Sequence, residues 1–269
     1  MNNCKTISIS NQKGGVAKTS TAFNLGYALT LQNKKVLLVD LDPQSSLTIC
    51  FGAEQKAAKK SISDIFAKVI NEDEYDVSDY IQKYERGELL HILPCNIGFI
   101  ATEDKLRNEI GSERTLATIL EPLREVYDFI IIDTAPSLGL LSVNALSSAD
   151  EVIVTASPQF LSAVGIRDLL KTINKVRKHI NPNIKIGGIL LTMCDERTNL
   201  FNQIQSLVYT QYGGEVYIFE SSIPTSTKVG EANLNQTTVI EFAPKSRPAL
   251  AYLDIAKDII SKESEGQSR

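Results

Sequence analysis

The sequence predicts an α/β fold: a doubly wound, mostly parallel sheet flanked by helices, in a single domain. Three observations predict it. Short β-branched runs alternate with longer helical patterns along the whole chain. Two of the runs, residues 36–39 and 129–132, are apolar throughout, which is typical of central parallel strands covered on both faces. Finally, 43% of the 269 residues are hydrophobic, which is enough for a large core.

The elements follow one another in the order that such a fold requires. The predicted strands are residues 6–10, 36–40, 89–93, 129–133, 151–155, 185–192 and 215–219. The predicted helices are residues 18–30, 114–126, 160–179, 200–212 and 249–260. The last helix carries an apolar stripe formed by Tyr252, Ala256, Ile259 and Ile260. Residues 52–87 are expected to form a loop-rich insert. We expect the domain to span residues 1–262, with a disordered tail at 263–269.

Composition excludes several classes of protein. A net charge of −4 argues against a surface covered in positive charge, so any nucleic-acid contact must use a local patch. The four cysteines lie far apart in the sequence, which favours reduced thiols over a zinc site or a disulfide framework. The sequence shows no signal peptide and no apolar run near the roughly 20 residues that cross a bilayer. We therefore expect a cytoplasmic protein.

A glycine turn follows the first predicted strand and leads directly into a helix. Residues 11–20 read Asn-Gln-Lys-Gly-Gly-Val-Ala-Lys-Thr-Ser. In this context backbone N–H groups and the helix N-terminus converge on an anion. Lys18 is then expected to bind the β- and γ-phosphates, and the Thr19 hydroxyl to bind Mg²⁺. The expected nucleotide-binding residues are Lys13, Gly14, Gly15, Val16, Ala17, Lys18, Thr19 and Ser20.

The turn departs from the strict P-loop pattern. Gln12 and Ala17 occupy both of its glycine positions, and Lys13 precedes the glycine pair. The result is a deviant Walker A motif, Lys-Gly-Gly-x-x-Lys-Thr. Because two lysines of one short loop cannot easily serve the same phosphate, we expect Lys13 to reach a nucleotide held by a partner subunit.

Carboxylates end two of the predicted strands. Asp40 and Asp42 follow the second strand, and Asp133 closes the apolar run 129–132. Ligands of open α/β sheets bind at the carboxyl ends of the strands. Asp133 is expected to orient a Mg²⁺-bound water in the manner of a Walker B residue. The alternative for Asp40 and Asp42 is a solvated turn at a strand end.

These motifs resemble those of the ParA/MinD family of deviant Walker ATPases, and most closely the small ParA or Soj type of DNA-partitioning ATPase. The resemblance covers residues 7–260. It implies that Asp42 positions the attacking water, that Asp40 supports the metal and its loop, and that residues 134–139 sense the γ-phosphate. It assigns catalytic roles to Lys13, Lys18 and Asp42, and metal binding to Thr19, Asp40 and, through water, Asp133. It also places Met193, Asp195 and Pro224 beside the adenine.

The resemblance further implies non-specific DNA binding by two late segments. Arg197 matches one arginine of the family, and Lys228 keeps the charge of the second. Thr225 stands where another arginine is usual, so one cation is missing. Residues 167–178 carry five cations against Asp168. Either this helix adds to DNA binding or it is an ordinary solvated face.

The function implied by the resemblance is an ATP-dependent DNA-segregation switch. Mg²⁺–ATP would form a homodimer that sandwiches two nucleotides and binds the nucleoid, and a ParB-like partner would stimulate hydrolysis and release. A MinD-like membrane-associated positioning ATPase is the alternative. The tail 261–269 has no apolar face, which argues against membrane binding. A third possibility, an iron–sulfur ATPase of the nitrogenase-reductase type, lacks a cysteine near Ala135 and Pro136.

Overall fold

The structure, a computed structural model, describes residues 4–158 and 160–267, without the side chains of residues 160–164 and 265–267. Within this part of the chain one sheet contains eight strands. They are β1 (Lys5–Ser10), β2 (Val36–Leu41), β3 (Gln82–Tyr84), β4 (Gly87–Leu93), β5 (Phe129–Thr134), β6 (Glu151–Ala156), β7 (Lys185–Cys194) and β8 (Ile223–Pro224).

The strand order across the sheet is β3-β4-β2-β5-β1-β6-β7-β8. All neighbours are parallel except β3, which pairs antiparallel with β4 at the edge. Strand β1 lies between β5 and β6, so the turn that follows β1 opens where strands from both halves of the sheet end. Asp40 at the end of β2 lies directly opposite Asp133 on β5.

Helices cover both faces of the sheet. They are α1 (Lys18–Thr30), α2 (Ser46–Phe51), α3 (Glu54–Ala57), α4 (Ile62–Ile70), α5 (Phe99–Leu106), α6 (Thr115–Leu120), α7 (Leu140–Ser148), α8 (Phe160–His179), α9 (Asn199–Tyr212), α10 (Thr227–Leu234), α11 (Val239–Phe242) and α12 (Arg247–Gln267). Short 3-10 turns span Val77–Tyr80, Ser112–Arg114 and Glu121–Glu125.

The core has three buried parts. On one face α1 packs on α12, where Phe23 and Tyr252 are fully buried. On the other face α4–α7 bury Phe66, Phe99 and their neighbours against β2 and β5. The third part lies beneath α8 and α9. Because apolar strands are covered on both sides, the doubly wound fold expected from the sequence is confirmed.

Three expectations need correction. The predicted strand 215–219 contributes, within the described residues, a single bridge between Ile218 and Ile189, and β8 takes the edge instead. The predicted helix 114–126 is divided, because Pro122 lacks the N–H that would continue α6. The insert 52–87 contains α4, whose Ser61 and Asp64 form a capping box.

The C-terminal boundary also differs from the expected one. Helix α12 continues to Gln267, past the boundary at residue 262 that the sequence predicts. Glu263 belongs to this helix, and its carboxylate lies 3.7 Å from the Nζ of Lys5 on β1. Residues 268–269 lie outside the described part. The apolar stripe of α12 is confirmed, with Tyr252, Ala256 and Ile259 buried.

Candidate active site

The glycine turn between β1 and α1 is held by long-range hydrogen bonds. The Asn11 amide donates to the Thr155 carbonyl of β6 at 2.6 Å, and its Oδ1 accepts the Lys13 N–H at 2.9 Å. Thr192 Oγ1 on β7 donates to the Val16 carbonyl at 3.1 Å. The ends of three strands therefore fix the turn before α1 begins.

Two residues of the turn adopt left-handed backbone conformations. Gly15 has φ +68°, which costs glycine little. Ala17, the residue before α1, has φ 58° and ψ 30°, a region that side chains with a Cβ disfavour. Ala17 occupies the second glycine position of the strict P-loop pattern, so the structure retains the glycine-like conformation there without the glycine.

Lys18 is buried at the first position of α1 and turns back toward the loop. Its Nζ donates to the Lys13 carbonyl at 3.0 Å. Burial lowers the pKa of Lys18, while the nearby Asp133 and Asp42 carboxylates raise it. The ammonium thus lies among the groups expected to surround a phosphate. Lys13 itself lies at the surface edge of the turn, half-buried.

Thr19 and Asp133 come together as a metal site requires. Thr19 Oγ1 donates to Asp133 Oδ2 at 2.7 Å. Asp133 is fully buried, and its Oδ1 has no hydrogen-bond partner within the described residues. Burial first, and then the neighbouring Asp40 charge, raise the pKa of Asp133 well above its usual range. Hydroxyl and carboxylate oxygens are ligands of Mg²⁺, directly or through water, so these residues fit that ion.

Asp40 is bound by the loop that follows it. Its Oδ2 accepts the Thr48 N–H at 2.8 Å and the Thr48 hydroxyl at 2.7 Å, and its Oδ1 accepts the Asp42 N–H at 3.2 Å. Burial raises the pKa of Asp40 to about 6, against the lowering effect of these hydrogen bonds. This geometry favours loop support over direct metal binding for Asp40.

Asp42 lies two residues after Asp40, at the start of the same loop. Its Oδ1 accepts the Gln44 N–H at 2.9 Å, and its main-chain carbonyl accepts the Ser45 N–H at 2.8 Å. The carboxylate is buried, and its negative charge raises the pKa of both Lys18 and Asp40. Asp42 therefore belongs to the same site as the phosphate turn.

A cleft of about 460 Å³ opens beside the phosphate turn. Lys13, Gly14 and Gly15 line one part of it, and Met193 and Asp195 line another. This brings the expected phosphate-binding and adenine-binding residues to one cavity. Pro224 is buried in β8, opposite Cys194, and its neighbour Thr225 lines the cleft. The role of Pro224 stays a prediction.

The residues expected to bind DNA are exposed but paired. Arg197 donates from Nε and Nη2 to the two carboxylate oxygens of Asp195, at 2.9 and 3.0 Å. Lys228 Nζ lies 2.8 Å from Glu231 on the same helix. On α8, Arg167 and Lys171 lie within 4 Å of Asp168, and Arg177 Nε donates to the Ile184 carbonyl. These α8 contacts suit a solvated helix face.

Three supporting residues were missed by sequence reasoning. Asn11, Thr48 and Thr192 each fix a site loop through a hydrogen bond to a distant segment or to a buried carboxylate. Asn11 lies two residues before the deviant motif, and this proximity is the only local signal. The partners of Thr48 and Thr192 depend on the order of the strands, which no local pattern carries.

Comparisons with known proteins agree with this geometry. A family model described as "AAA domain" matches residues 4–186. The sporulation initiation inhibitor protein Soj of Bacillus subtilis is 40% identical over 255 residues, covering 95% of this chain and 98% of that protein. The chromosome partitioning protein ParA of Caulobacter vibrioides is 33% identical over 270 residues, covering 100% of this chain and 98% of that protein.

Two further likenesses concern fold and cofactors. A solved structure of cobyrinic acid a,c-diamide synthase from Mycobacterium smegmatis, with bound ATP analog and magnesium, has a TM-score of 0.83 and 32% identity, covering 98% of this chain and 97% of that one. A model of 4Fe-4S iron sulfur cluster binding proteins of the NifH/frxC family matches residues 138–267. That segment contains one cysteine, Cys194, whereas such clusters need several thiolates.

Proposed function

The chain belongs to the ParA/Soj/MinD-like family of P-loop ATPases, and on that basis we propose that it is a DNA-segregation ATPase whose Mg²⁺–ATP-bound dimer binds DNA. The observation that carries the proposal is the short segment between β7 and α9. Asp195 lines the nucleotide cleft, and Arg197, its ion-pair partner, is exposed to solvent two residues later. One short turn therefore carries both a residue of the nucleotide cleft, Asp195, and an exposed cation, Arg197. The whole-length similarity to Soj and to ParA supports the same function.

ATP hydrolysis follows from positioning and electrostatics. The glycine turn and Lys18 would bind the phosphates, and Thr19, with Asp133 through water, would hold Mg²⁺, which would supply charge neutralisation during hydrolysis. Asp42 holds the attacking water and accepts its hydrogen bond. Asp40 keeps Asp42 in place, because its Oδ1 accepts the Asp42 N–H and its Oδ2 binds Thr48.

Dimerisation completes the site in the proposed cycle. Lys13 lies at the rim of the cleft, and its N–H is fixed by Asn11. From there its side chain serves the triphosphate of a second copy, so ATP occupancy and subunit pairing become one event. The paired subunits bind DNA without sequence preference through Arg197 and Lys228. A ParB-like partner stimulates hydrolysis, and the dimer is released from the nucleoid.

No helix in the part of the chain described by the structure is both long enough and apolar enough to span a bilayer. The alternative function, a positioning ATPase that binds to a membrane surface, needs a separate experimental test. The test measures co-sedimentation with anionic vesicles and with plasmid DNA, each with ADP, ATP and a non-hydrolysable analogue. Binding to vesicles without binding to DNA would overturn the proposal.

The variant Arg197→Glu tests the DNA surface. We expect DNA affinity to fall, and its salt dependence to become weaker, because a phosphate contact is lost. ATP-dependent dimerisation should be retained. Arg86→Glu is the matched control, since Arg86 is an exposed arginine in the turn between β3 and β4, at the opposite edge of the sheet. Equal DNA affinity in the two variants would refute the assignment.

A further inference from the structure

We propose that Arg247 is a third cation of the DNA-binding surface and that Glu196 restrains it until DNA phosphate replaces the carboxylate. This inference rests on the proposed DNA binding and names an additional contact and its regulation. It assigns a function to an ion pair, Arg247 with Glu196, that the nucleotide site does not use.

The restraint is built from two consecutive acidic residues. Asp195 binds Arg197 through both carboxylate oxygens, and Glu196 binds Arg247 through Oε2. Glu196 is itself oriented, since Ser222 Oγ donates to its Oε1 at 2.7 Å. Each arginine nevertheless keeps most of its surface in solvent, 85% for the Arg197 side chain and 64% for that of Arg247. Both guanidinium groups are therefore held by carboxylates while remaining accessible to a polyanion.

Arg247 contacts Glu196, in the turn that lies beside Thr225, where the expected arginine of the DNA surface is missing. The Thr225 N–H donates to the Cys194 carbonyl at 2.9 Å, which places Thr225 against the turn that carries Asp195 and Glu196. The Nζ of Lys228 lies 5.8 Å from the centre of the Phe242 ring on α11, the helix that precedes α12. Arg197 and Glu196, the partner of Arg247, lie in the turn beside Thr225, and Lys228 follows Thr225 at the start of α10; we call Arg197, Arg247 and Lys228 the three-cation surface.

The position of Arg247 in its own helix argues for an anionic partner. Arg247 is the first residue of α12, and a helix N-terminus carries a partial positive charge that disfavours a cation. The helix dipole does not stabilise a cation at this position, and Glu196 balances the charge of Arg247. An exposed ion pair is weak and is screened by salt. A DNA phosphate, which accepts two parallel hydrogen bonds from a guanidinium, can therefore displace the carboxylate.

The experiment measures binding of a fluorescent DNA duplex to the full chain, with ADP and with a non-hydrolysable ATP analogue, over a series of salt concentrations. The variants are Glu196→Gln, Arg247→Ala and the double variant. Glutamine retains an oxygen to accept the Ser222 hydroxyl, so it removes the charge with little structural change. Asp254→Asn and Lys257→Ala are matched controls, because this pair also lies on α12, with its charged atoms 3.3 Å apart.

We expect Glu196→Gln to tighten DNA binding by roughly twofold to fivefold, the factor that corresponds to an exposed ion pair. Arg247→Ala should weaken binding and lower the slope of log affinity against log salt by about 1. In the Arg247→Ala background Glu196→Gln should have no effect, because Glu196 acts through Arg247. The Asp254→Asn and Lys257→Ala controls should change neither quantity.

Two different failures are distinguishable. If the wild-type protein binds DNA with the analogue but the Glu196 and Arg247 variants bind as it does, the three-cation surface is overturned and DNA binding stands. If Glu196→Gln tightens DNA binding in the Arg247→Ala background as much as it does in the wild-type protein, the restraint is also overturned. If neither the wild-type protein nor Glu196→Gln binds DNA in any nucleotide state, the proposed function fails together with the inference.

Discussion

At the scale of single residues, three of the six non-glycine residues with positive φ in the described part of the chain lie at the nucleotide site. Ala17, Ser45 and Met193 all have positive φ although none is glycine. They lie in the phosphate turn, in the loop after Asp42 and at the cleft. Such conformations persist only where the surroundings fix them, and they cluster at functional sites. Around Ala17, Asn11 Oδ1 accepts the Lys13 N–H and Thr192 Oγ1 donates to the Val16 carbonyl, and at Ser45 the N–H donates to the Asp42 carbonyl.

Ala17→Gly is expected to stabilise the protein by about 1 kcal/mol, because glycine adopts the left-handed region without the penalty that a Cβ incurs. Thermal unfolding without nucleotide should show a melting temperature about 2–4 °C higher. Ala58→Gly is the control, since Ala58 is exposed and right-handed, with φ −60°. That substitution should lower stability instead, by less than about 1 kcal/mol. A melting temperature of Ala17→Gly below that of the wild-type protein would contradict the backbone strain inferred at Ala17.

Asp133→Asn is expected to stabilise the nucleotide-free protein increasingly as pH rises above about 4, the pKa of an aspartate in an unfolded chain. Burial and the Asp40 charge raise the pKa of Asp133 in the folded state. The folded state therefore binds the proton more tightly than the unfolded state, and stability is lost as pH rises through the folded pKa. Asparagine has no charge to lose, and its oxygen still accepts the Thr19 hydroxyl.

Melting temperatures at pH 5 and pH 8 measure this effect. Each unit by which a pKa is raised is worth about 1.4 kcal/mol, so the gain at pH 8 should be several degrees. The same variant should lose Mg²⁺-dependent ATP hydrolysis. Asp64→Asn, at the capping box of α4, is a control that is expected to destabilise. A gain that is equal at both pH values would show that the Asp133 charge is not the cause.

Much of the site was predictable residue by residue, because its chemistry lies in contiguous motifs. Lys18 and Thr19 follow the glycine turn, and Asp133 ends an apolar run. The sequence did not reveal that the Asp40 carboxylate is occupied by Thr48, nor that Arg197 is paired with Asp195. Each of these depends on side-chain directions that only the folded chain determines.

At the scale of elements, the strands and helices with strong patterns were predicted well. Helices α1 and α8 have the predicted bounds. Helices α5 and α7 were missed, and they have eight and nine residues. The β-branched content of residues 215–219 predicts a strand, but within the described residues this segment bridges β7 only at Ile218, opposite Ile189.

Gly188→Ala is expected to destabilise the edge of the sheet. Gly188 has φ +155°, and a Cβ there would lie 2.8 Å from Phe219 Cε2 and 3.1 Å from the Tyr217 carbonyl oxygen. A backbone oxygen cannot move aside easily, so we expect a loss of about 1–3 kcal/mol in the free energy of unfolding. Chemical denaturation measures it. Gly214→Ala is the control, because nothing lies within 4 Å of its added Cβ; equal losses would contradict the close packing at Gly188.

At the scale of the whole molecule, the fold brings the site residues together at the carboxyl ends of the parallel strands. The phosphate turn follows β1, Asp40 ends β2, Asp133 lies near the end of β5, and Asp195 follows β7. Parallel strands have their carboxyl ends at the same edge, so the sequence predicted this convergence once the strands were identified. The order of the strands, and with it the pairing of Asp40 opposite Asp133, was not predictable from local patterns.

Lys13→Ala tests whether the assembled molecule works as a pair. Lys13 lies at the rim of the cleft, while Lys18 lies buried within the turn. If Lys13 serves the nucleotide of a second copy, its loss should leave ATP binding to the single subunit and abolish ATP-dependent pairing. Sedimentation velocity with a non-hydrolysable analogue should then show a single-subunit mass, whereas the wild-type protein should show a dimer.

Lys18→Ala is the matched variant, because it removes the other lysine of the same turn. We expect this variant to lose nucleotide binding itself, since the Lys18 ammonium lies within the turn that is proposed to bind the phosphates. Nucleotide affinity and the sedimentation mass, measured together, distinguish the two lysines. Lys13→Ala should affect only dimerisation. Lys18→Ala should abolish nucleotide binding and, as a consequence, dimerisation. A dimer of Lys13→Ala with the analogue would show that the lysine before the glycine pair acts within its own subunit, and the link between ATP occupancy and DNA binding would then need another residue at the rim.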